Sequence, residues 1–584
     1  MIVPMKKVHV VALQRDMGSV LESLRDLGVV HVEHQEPLTG YQLQERREEV
    51  RVLEQALQIL KQRQGKEAAR PQKPCPDWTE RVNTLLRLLG QIEHLQESLS
   101  KREGLIRQWE PWGDFSPQDI AFLRERGIYV NLYESSPKEA LPVREGLVCQ
   151  TVGQVQGRVL WVAMALEEMD LPYREVKPPL MSLGEMRAKQ KEEADQICSL
   201  EEEIQKEQCY RQALEKTLAE RRSILEFEEV ERGMRTEGPL VVLKGFCPEE
   251  SVSALEKRAK EERWGLLVED PQEGDQVPTL LRNPSWVRLS APVLKVIEIL
   301  PGYWEFDISR VLLIFFVLFF AILIGDAAYG LIFMGMAFWA HRRFGKAVGD
   351  PTPFHLAYIL TAATCVWGVL TGTYFGQKWL PSFVHPVIPW LNDFTHIQLL
   401  CFIIALTHLS IARVWAAVAK WPSVTFLSEA GWLSIIWGMF FVANMFVLGM
   451  PFPPWAAVFF WMGIPLAFFF MVEPKDFLKT VGMEIVPFFL SVIGAGTDLV
   501  SYIRLFAVGL ATVAVADATN SMAATVPVWV APVVLLIGHG LNLILALMAI
   551  LVHAIRLNVL EFSGQLGLEW KGIGYKPFKK WYKA

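Results

Sequence analysis

The sequence lacks the marks of catalysis. It has no GxxxxGK[ST] phosphate loop, no HExxH pair and no paired-cysteine metal site. Any nucleotide chemistry coupled to this chain is therefore expected on another chain, and neither a metal nor a cofactor is expected here. Cysteine is scarce and scattered: seven residues (Cys75, Cys149, Cys198, Cys209, Cys247, Cys365, Cys401), with no CxxC and an odd count. That pattern suits free thiols in a reducing compartment. There is no basic block to meet a nucleic-acid backbone, since acidic and basic residues are mixed and the net charge is −6. Nucleic acid is not an expected partner. The opening MIVPMKKVHVVAL has a short apolar run and no small-residue cleavage site. No cleavable signal peptide is read, and the charged part of the chain is expected to stay cytoplasmic.

What is present is split in two. Residues 1 to about 300 are charged and polar, whereas residues from about 308 to 565 are largely Leu, Ile, Val, Phe, Trp, Ala and Gly. A chain of 584 residues is too long for one compact domain. The expectation is a membrane protein: a large soluble half, then an all-α membrane half.

In the soluble half, residues 7–13 alternate toward a strand, 17–27 are helix-like and 29–34 are strand-like again. Val50, Leu53, Leu57 and Leu60 recur at helical spacing, Pro71, Pro74 and Pro76 interrupt, and Val82, Leu85, Leu89, Ile92 and Leu99 resume. A second run over 183–230 carries Ile197, Leu200, Ile204, Leu214, Leu218 and Leu225. Such spacing suits a coiled-coil seam. Between the runs lies a mixed stretch near 112–180 with strand-like 129–133 and 159–165. Strand-like 239–245 and 264–268 flank a helix over 248–262. The order predicts an α/β dumbbell: lobes near 1–40 and 236–300, an antiparallel coiled-coil arm near 41–110 and 183–235, and a distal lobe near 111–182. Two separate helical domains are the alternative.

In the membrane half, apolar stretches at 308–324, 327–341, 356–375, 396–418, 430–448, 455–472, 485–522 and 530–562 predict about eight spans, since roughly 20 apolar residues cross a bilayer. One set of loops carries Arg342, Arg343, Lys346, Lys420, Lys475 and Lys479. A basic tail over 566–584 adds Lys571, Lys576, Lys579, Lys580 and Lys583, while the opposite set has Lys378. Positive loops face the cytoplasm, so both termini are expected there.

The last two stretches are the longest, which implies steep tilt or extension past the membrane. They also hold the polar groups: Asp498, Ser501, Arg504 and Asn520 on the first, and His539, Asn542, His553, Arg556 and Glu561 on the second. Arg504 is the most informative. A guanidinium at membrane depth costs about 2.5–3.5 kcal/mol or more and does not escape by losing its proton. It lies about 27 Å along its helix, counted at the α-helical rise. An arginine kept there points to ion handling. His553 and Arg556, three apart, are expected to share a helix face. Snorkelling is the rival for Arg556, a water-boundary position for Glu561, and local pairing with Ser501 for Asp498.

These residues resemble a family. SYIRLFAVGLA at 501–511, GDAAYG at 325–330, HAIRLNVLEFSG at 553–564, GYKPF at 574–578 and VLKGFCPEE at 242–250 look like subunit a of the rotary V-type/A-type ATPases, called subunit I in bacteria and archaea. The resemblance implies a static subunit, not an enzyme on its own, that passes H+ or Na+ to and from a proteolipid c/K ring. It implies peripheral-stalk, central-stalk and ATPase-head partners, a lipid bilayer and a prokaryotic plasma membrane. Arg504 matches the arginine that faces the ring, and Arg556 the second arginine. His553 and Glu561 match positions lining the cytoplasmic half-channel. The chain departs where Leu490, Thr512 and Ala546 stand at positions polar in many relatives, and Asp498 is expected to supply part of the missing acidity. Ser501, Asn542 and His539 are further channel-lining expectations. A stand-alone secondary transporter and a membrane-anchored scaffold are the alternatives. The former shows internal inverted repeats, and none is evident here. The latter explains the arm but not Arg504.

Overall fold

The computed structural model describes residues 1–38, 40–63, 77–137, 139, 141–142, 144–155, 157–168, 171–376, 387–472 and 477–580, without the side chains of 347, 392 and 477–484. Pro71, Pro74, Cys75, Pro76, Lys378, Lys475, Lys583 and the side chain of Lys479 lie outside the described residues. Two compact units form.

The unit of Val10–Gly28, Val32–Lys244 and Phe578–Ala584 is dominated by long helices. After α1 (Met17–Leu27) come α2 (Tyr41–Gln62) and α3 (Trp78–Trp109), then the short α4 (Pro117–Glu125), α5 (Leu183–Glu207) and α6 (Arg211–Arg232). Helix α3 packs along α5, and α2 along α6. Their seam buries Leu53, Leu57, Leu60, Leu85, Ile92, Ile204 and Leu214. Asp77 starts α3 by accepting from the backbone N–H of Thr79 and Glu80, and Ser182 starts α5 with a capping box to Glu185. Each cap satisfies donors that a helix start leaves open.

Between α3 and α5 lies a four-stranded antiparallel sheet. Its order is Leu147–Val155, Arg158–Ala165, Tyr129–Ser135, Arg174–Val176. Trp161 is its anchor: fully buried, stacked on Tyr133 at 4.9 Å, and donating to Ser135 Oγ at 3.1 Å. Strand Leu147–Val155 escaped the sequence reading. Its residues are mostly exposed, and its register shifts between Thr151 and Gly153. Strand Arg235–Glu237 pairs antiparallel with the start of the next strand, Arg235 opposite Val242 and Glu237 opposite Leu240.

The unit of Met1–His9, Val29–His31 and Gly245–Pro577 holds α7 (Val252–Glu262), α8 (Ala291–Ile297) and the apolar helices. These are α9 (Ser309–Ile324), α10 (Ala327–Val348), α11 (Thr352–Thr371), α12 (Phe394–Lys420), α13 (Phe426–Leu448), α14 (Ala457–Phe469), α15 (Phe477–Val500), α16 (Ile503–Thr525), α17 (Ala531–Ala549) and the short α18 (Ser563–Leu566).

Where the sequence suggests eight spans, five helical stretches among the described residues are long and apolar enough by themselves. They are Thr352–Thr371, Phe394–Lys420, Phe426–Leu448, Ile485–Thr525 and Ala531–Leu566, the last two of 41 and 36 residues. Helices α9 and α10 qualify only as a pair bent by 119°, and Pro454–Phe469 is shorter. The bend has a local cause. Gly325 ends α9 in the left-handed region at φ 69, where a side chain is strained. Asp326 restarts the chain by accepting from the N–H of Ala328 and Tyr329. Gly368 of α11 lets the new helix start against it, since a Cβ there would lie 2.0 Å from Ala327 N.

Candidate functional site

The stretch carrying Arg504 is not one unbroken α-helix. Helix α15 ends at Val500, and α16 begins at Ile503, so Arg504 sits in the first turn after a break at Ser501–Tyr502. Tyr502 holds the break from below. It is fully buried, and its hydroxyl meets His408 Nδ1 of α12 at 2.8 Å. His408 is itself sandwiched between Phe315 and Phe562, with ring centroids 3.8 and 4.3 Å apart. Ser501 and Arg504 are three apart and meet on one face: Arg504 Nη2 donates to Ser501 Oγ at 2.7 Å. Local pairing with Ser501, the alternative weighed for Asp498, is not among the contacts of the described residues, where Ser501 Oγ accepts from Arg504.

The final helix is irregular where the chemistry lies. After α17 the backbone passes through π-helical turns at Ile550–Ala554 and Leu557–Phe562, which hold His553 and Glu561 and bracket Arg556. Arg556 and Glu561 are five apart, a separation that an α-helix turns away from one face. The i→i+5 winding brings them together, with Arg556 Nε 3.3 Å from Glu561 Oε1. The same oxygen lies 3.3 Å from Arg504 Nη2. Two arginines from two helices thus share one carboxylate oxygen. Glu561 is buried, at 3% exposure, and its other oxygen has no partner among the described residues. Arg504 is a quarter exposed and Arg556 about half. His553 also buries a partnerless Nδ1. The Arg556–Glu561 link was not legible from spacing, because π geometry leaves no mark in a hydrophobic pattern.

Asp498 joins a second set. Gln565 of α18 donates to Asp498 Oδ2 at 2.6 Å, and Arg413 of α12 holds Gln565. Arg413 also pairs with Glu429 of α13 at 2.8 Å, as does Lys420 at 2.6 Å. Arg413, Glu429 and Gln565 were not singled out in the sequence. Arg413 was legible as an ionisable residue within the apolar stretch 396–418, whereas Glu429 falls just before the stretch read at 430–448.

A third polar group lies along the same two long helices. Asn520 is 16 residues beyond Arg504, about 24 Å at the helical rise. His539 Nε2 meets Asn520 Oδ1 at 3.1 Å and its Nδ1 meets Tyr329 Oη at 2.6 Å. Asn542 Nδ2 donates to Tyr329 Oη at 3.0 Å and to the Thr512 carbonyl at 2.8 Å. Tyr329 belongs to the GDAAYG motif, whose Asp326 also accepts from Gly376 N–H at 3.0 Å. Of the three departures, Leu490 is exposed at 63% and Ala546 is buried, while Thr512 joins these bonds through its backbone carbonyl alone, its hydroxyl donating back to the Gly509 carbonyl.

No cluster of His, Cys, Asp or Glu among the described residues could hold a metal ion. Outside the membrane segments, burial pushes the Cys247 thiol up to about 12.

Comparison with known proteins gives full-length matches. The chain is 30% identical to a V-type ATP synthase subunit I of Borreliella burgdorferi, covering 100% of both chains. It is 29% identical to V-type ATP synthase subunit I 1 of Treponema pallidum, covering 99% of this chain and 100% of that one. An A-type ATP synthase subunit I of Methanocaldococcus jannaschii is 26% identical over 57% of this chain and 53% of its own. A solved cytoplasmic N-terminal domain of subunit I covers 45% of this chain and 99% of its own, at 16% identity and a TM-score of 0.20, too low to bear on the fold. No family model matches.

Proposed function

The chain belongs to the V-type/A-type ATP synthase subunit I family, and from that premise we propose that it forms the static half-channels of the rotary complex. It is a membrane subunit, and ATP chemistry belongs to partner chains. The observation that carries the reading is Arg504, set at a helix break deep in a 41-residue apolar stretch and sharing Glu561 with Arg556.

The mechanism follows from charge. Each ring subunit carries a carboxylate that crosses lipid neutral, with H+ or Na+ bound. On meeting Arg504 its ionised form is favoured and the cation leaves. Asp498, Glu561, His553 and Arg556 line the cytoplasmic half-channel, with Ser501 holding Arg504. Asn520, His539, Asn542 and Tyr329, about 24 Å along the helices, line the offset path to the other side. The fixed arginine charge between them blocks a direct leak. A membrane potential adds about 2.3 kcal/mol per charge per 100 mV. The exposed apolar faces of the last two stretches, including Leu490, Ile493, Leu536 and Ile537, suit contact with ring and lipid.

In this reading α9, α10 and the short Pro454–Phe469 helix each span, making eight with the five long stretches. Both termini are then cytoplasmic, in a plasma membrane. Residues 1–300 form the stator domain, whose arm links to peripheral stalks, 301–565 the ion channel and 566–584 a basic cytoplasmic tail.

The test is ATP-driven ion uptake into vesicles containing the purified complex, wild type against Arg504→Ala, with assembly checked in parallel. Uptake is expected to vanish while ring and head still co-purify. Uncoupler-sensitive uptake at the wild-type rate would remove the channel role from Arg504.

A further inference from the structure

Gln565 connects two polar groups that the half-channel reading leaves separate. Its orientation is set by contacts. Arg413 Nε and Nη2 both donate to Gln565 Oε1, at 2.9 and 2.6 Å. The amide oxygen is therefore committed, and the NH2 end faces Asp498, donating to Oδ2 at 2.6 Å. Exchanging the two ends would set NH2 against a guanidinium and oxygen against a carboxylate.

Arg413 is in turn fixed. Its Nη1 donates to Glu429 Oε2 at 2.8 Å, and Lys420 holds the other Glu429 oxygen at 2.6 Å. The Arg413 side chain is 14% exposed and Glu429 7%, so the fork has little freedom. Helices α12, α13, α15 and the last helix meet in this chain of contacts. A cavity of about 400 Å³ borders it, lined by Arg413, Lys420, Glu429 and Gln565 among others.

We propose that Arg413 and Gln565 are positioning residues for ion transfer: Arg413 orients the Gln565 amide, and the amide fixes the Asp498 carboxylate six residues ahead of Arg504. The proposal rests on the reading that Asp498 lies in the ion path. The charged groups facing Asp498 are Glu561 and Arg556 from the last helix and Arg413 from α12. Losing either positioning residue frees the carboxylate among these charges, so the pH response of transport changes along with its rate.

The experiment is ATP-driven ion uptake into vesicles carrying the complete ATPase, read by a pH dye for H+ and by radioactive sodium for Na+, measured from about pH 5.5 to 8.5, where acid–base steps show as limbs of the profile. The variants are Asp498→Asn, Gln565→Leu, Arg413→Lys and the double variant, with ring co-purification measured for each. Arg413→Lys keeps a charge for Glu429 but cannot set two N–H groups on one oxygen. Gln565→Leu and Arg413→Lys are expected to displace the profile midpoint by about one pH unit in the same direction. The double variant moves it no further, because the two act as one unit. Gln565→Glu keeps the side-chain size and a partner for Arg413, and is expected to displace the midpoint even if the leucine variant fails to assemble. A uniform drop in rate with an unmoved midpoint in the Gln565 and Arg413 variants, beside an altered Asp498→Asn profile, would overturn the positioning role alone. A wild-type profile in Asp498→Asn would remove Asp498 from the ion path and the proposal with it, leaving the Arg504 result to stand separately.

Discussion

The long-helix arm and the membrane helices both pair arginine with glutamate, in different surroundings. In the arm the pairs cross between helices at the rim of an apolar seam: Arg222–Glu54 at 2.6 Å, Arg47–Glu229 at 2.8 Å, Arg102–Glu193 at 2.6 Å. Each has water within reach, since every one of these side chains is partly exposed. In the membrane half the carboxylates are enclosed. Glu429 and Glu561 are buried, and each serves two cations. The difference teaches where the energy lies. At the arm's rim the ion pairs set register while Leu and Ile hold the helices. In the membrane half, breaking a pair strands a charge that water does not reach easily.

The largest expected break of this contrast is Glu429→Ala. It leaves Arg413 without one partner and Lys420 without its carboxylate. Removing one member of a buried pair costs about 3–5 kcal/mol. Thermal denaturation of the detergent-solubilised complex should show a large drop in midpoint. A loss near that of an exposed pair would mean that the cluster is well hydrated, and the contrast would fail.

Next comes Leu85→Ala in the arm. Leu85 is fully buried in the seam with Leu53, Leu57 and Ile92. Truncation to alanine in a packed core costs about 2–5 kcal/mol. Hydrogen exchange of α2 and α3 amides should speed accordingly, while exchange in α16 stays unchanged. Equal acceleration in both places would show that the arm and membrane helices unfold as one.

How much of this was legible depended on the kind of signal. Hydrophobic period marked the seam residues Leu53, Leu57, Leu60, Leu85 and Ile92 directly, because burial on one face is what spacing encodes. Position deep in an apolar run marked Arg504, and the observed stretch Ile485–Thr525 extends slightly past the 485–522 read from composition. Irregular backbone left no such trace. The boundary between α9 and α10 at Gly325 and Asp326 was legible, but the 119° bend that Gly325 and the Asp326 cap produce there was not. The break before Arg504 and the π turns around Arg556 are equally silent, so the Glu561 bridge was not visible from spacing. Gln565 was missed because a glutamine near a helix end is unremarkable until Arg413, 152 residues away, is found on its oxygen.

The smallest expected effect is in the arm's own ion pairs, and it sharpens the comparison from the other side. Arg102 reaches Glu193 with two N–H groups, and that hydrogen bonding holds the Glu193 carboxyl below its usual value despite some cost of burial. A carboxyl depressed in the folded state adds stability that is fully present above the unfolded value, about 4.3 for glutamate, and is lost as the pH falls through the folded value. The arm's urea midpoint, followed by circular dichroism, should therefore be flat from neutral pH down to the carboxylate range and fall below it. A double-mutant cycle with Arg102→Ala and Glu193→Ala should give a coupling of about 0.5–1 kcal/mol at neutral pH, since water screens the pair. The coupling should shrink toward zero in acid, where Glu193 is neutral. A value of several kcal/mol would place this pair with the enclosed carboxylates of the membrane helices, and hydration would no longer explain the difference between the two regions.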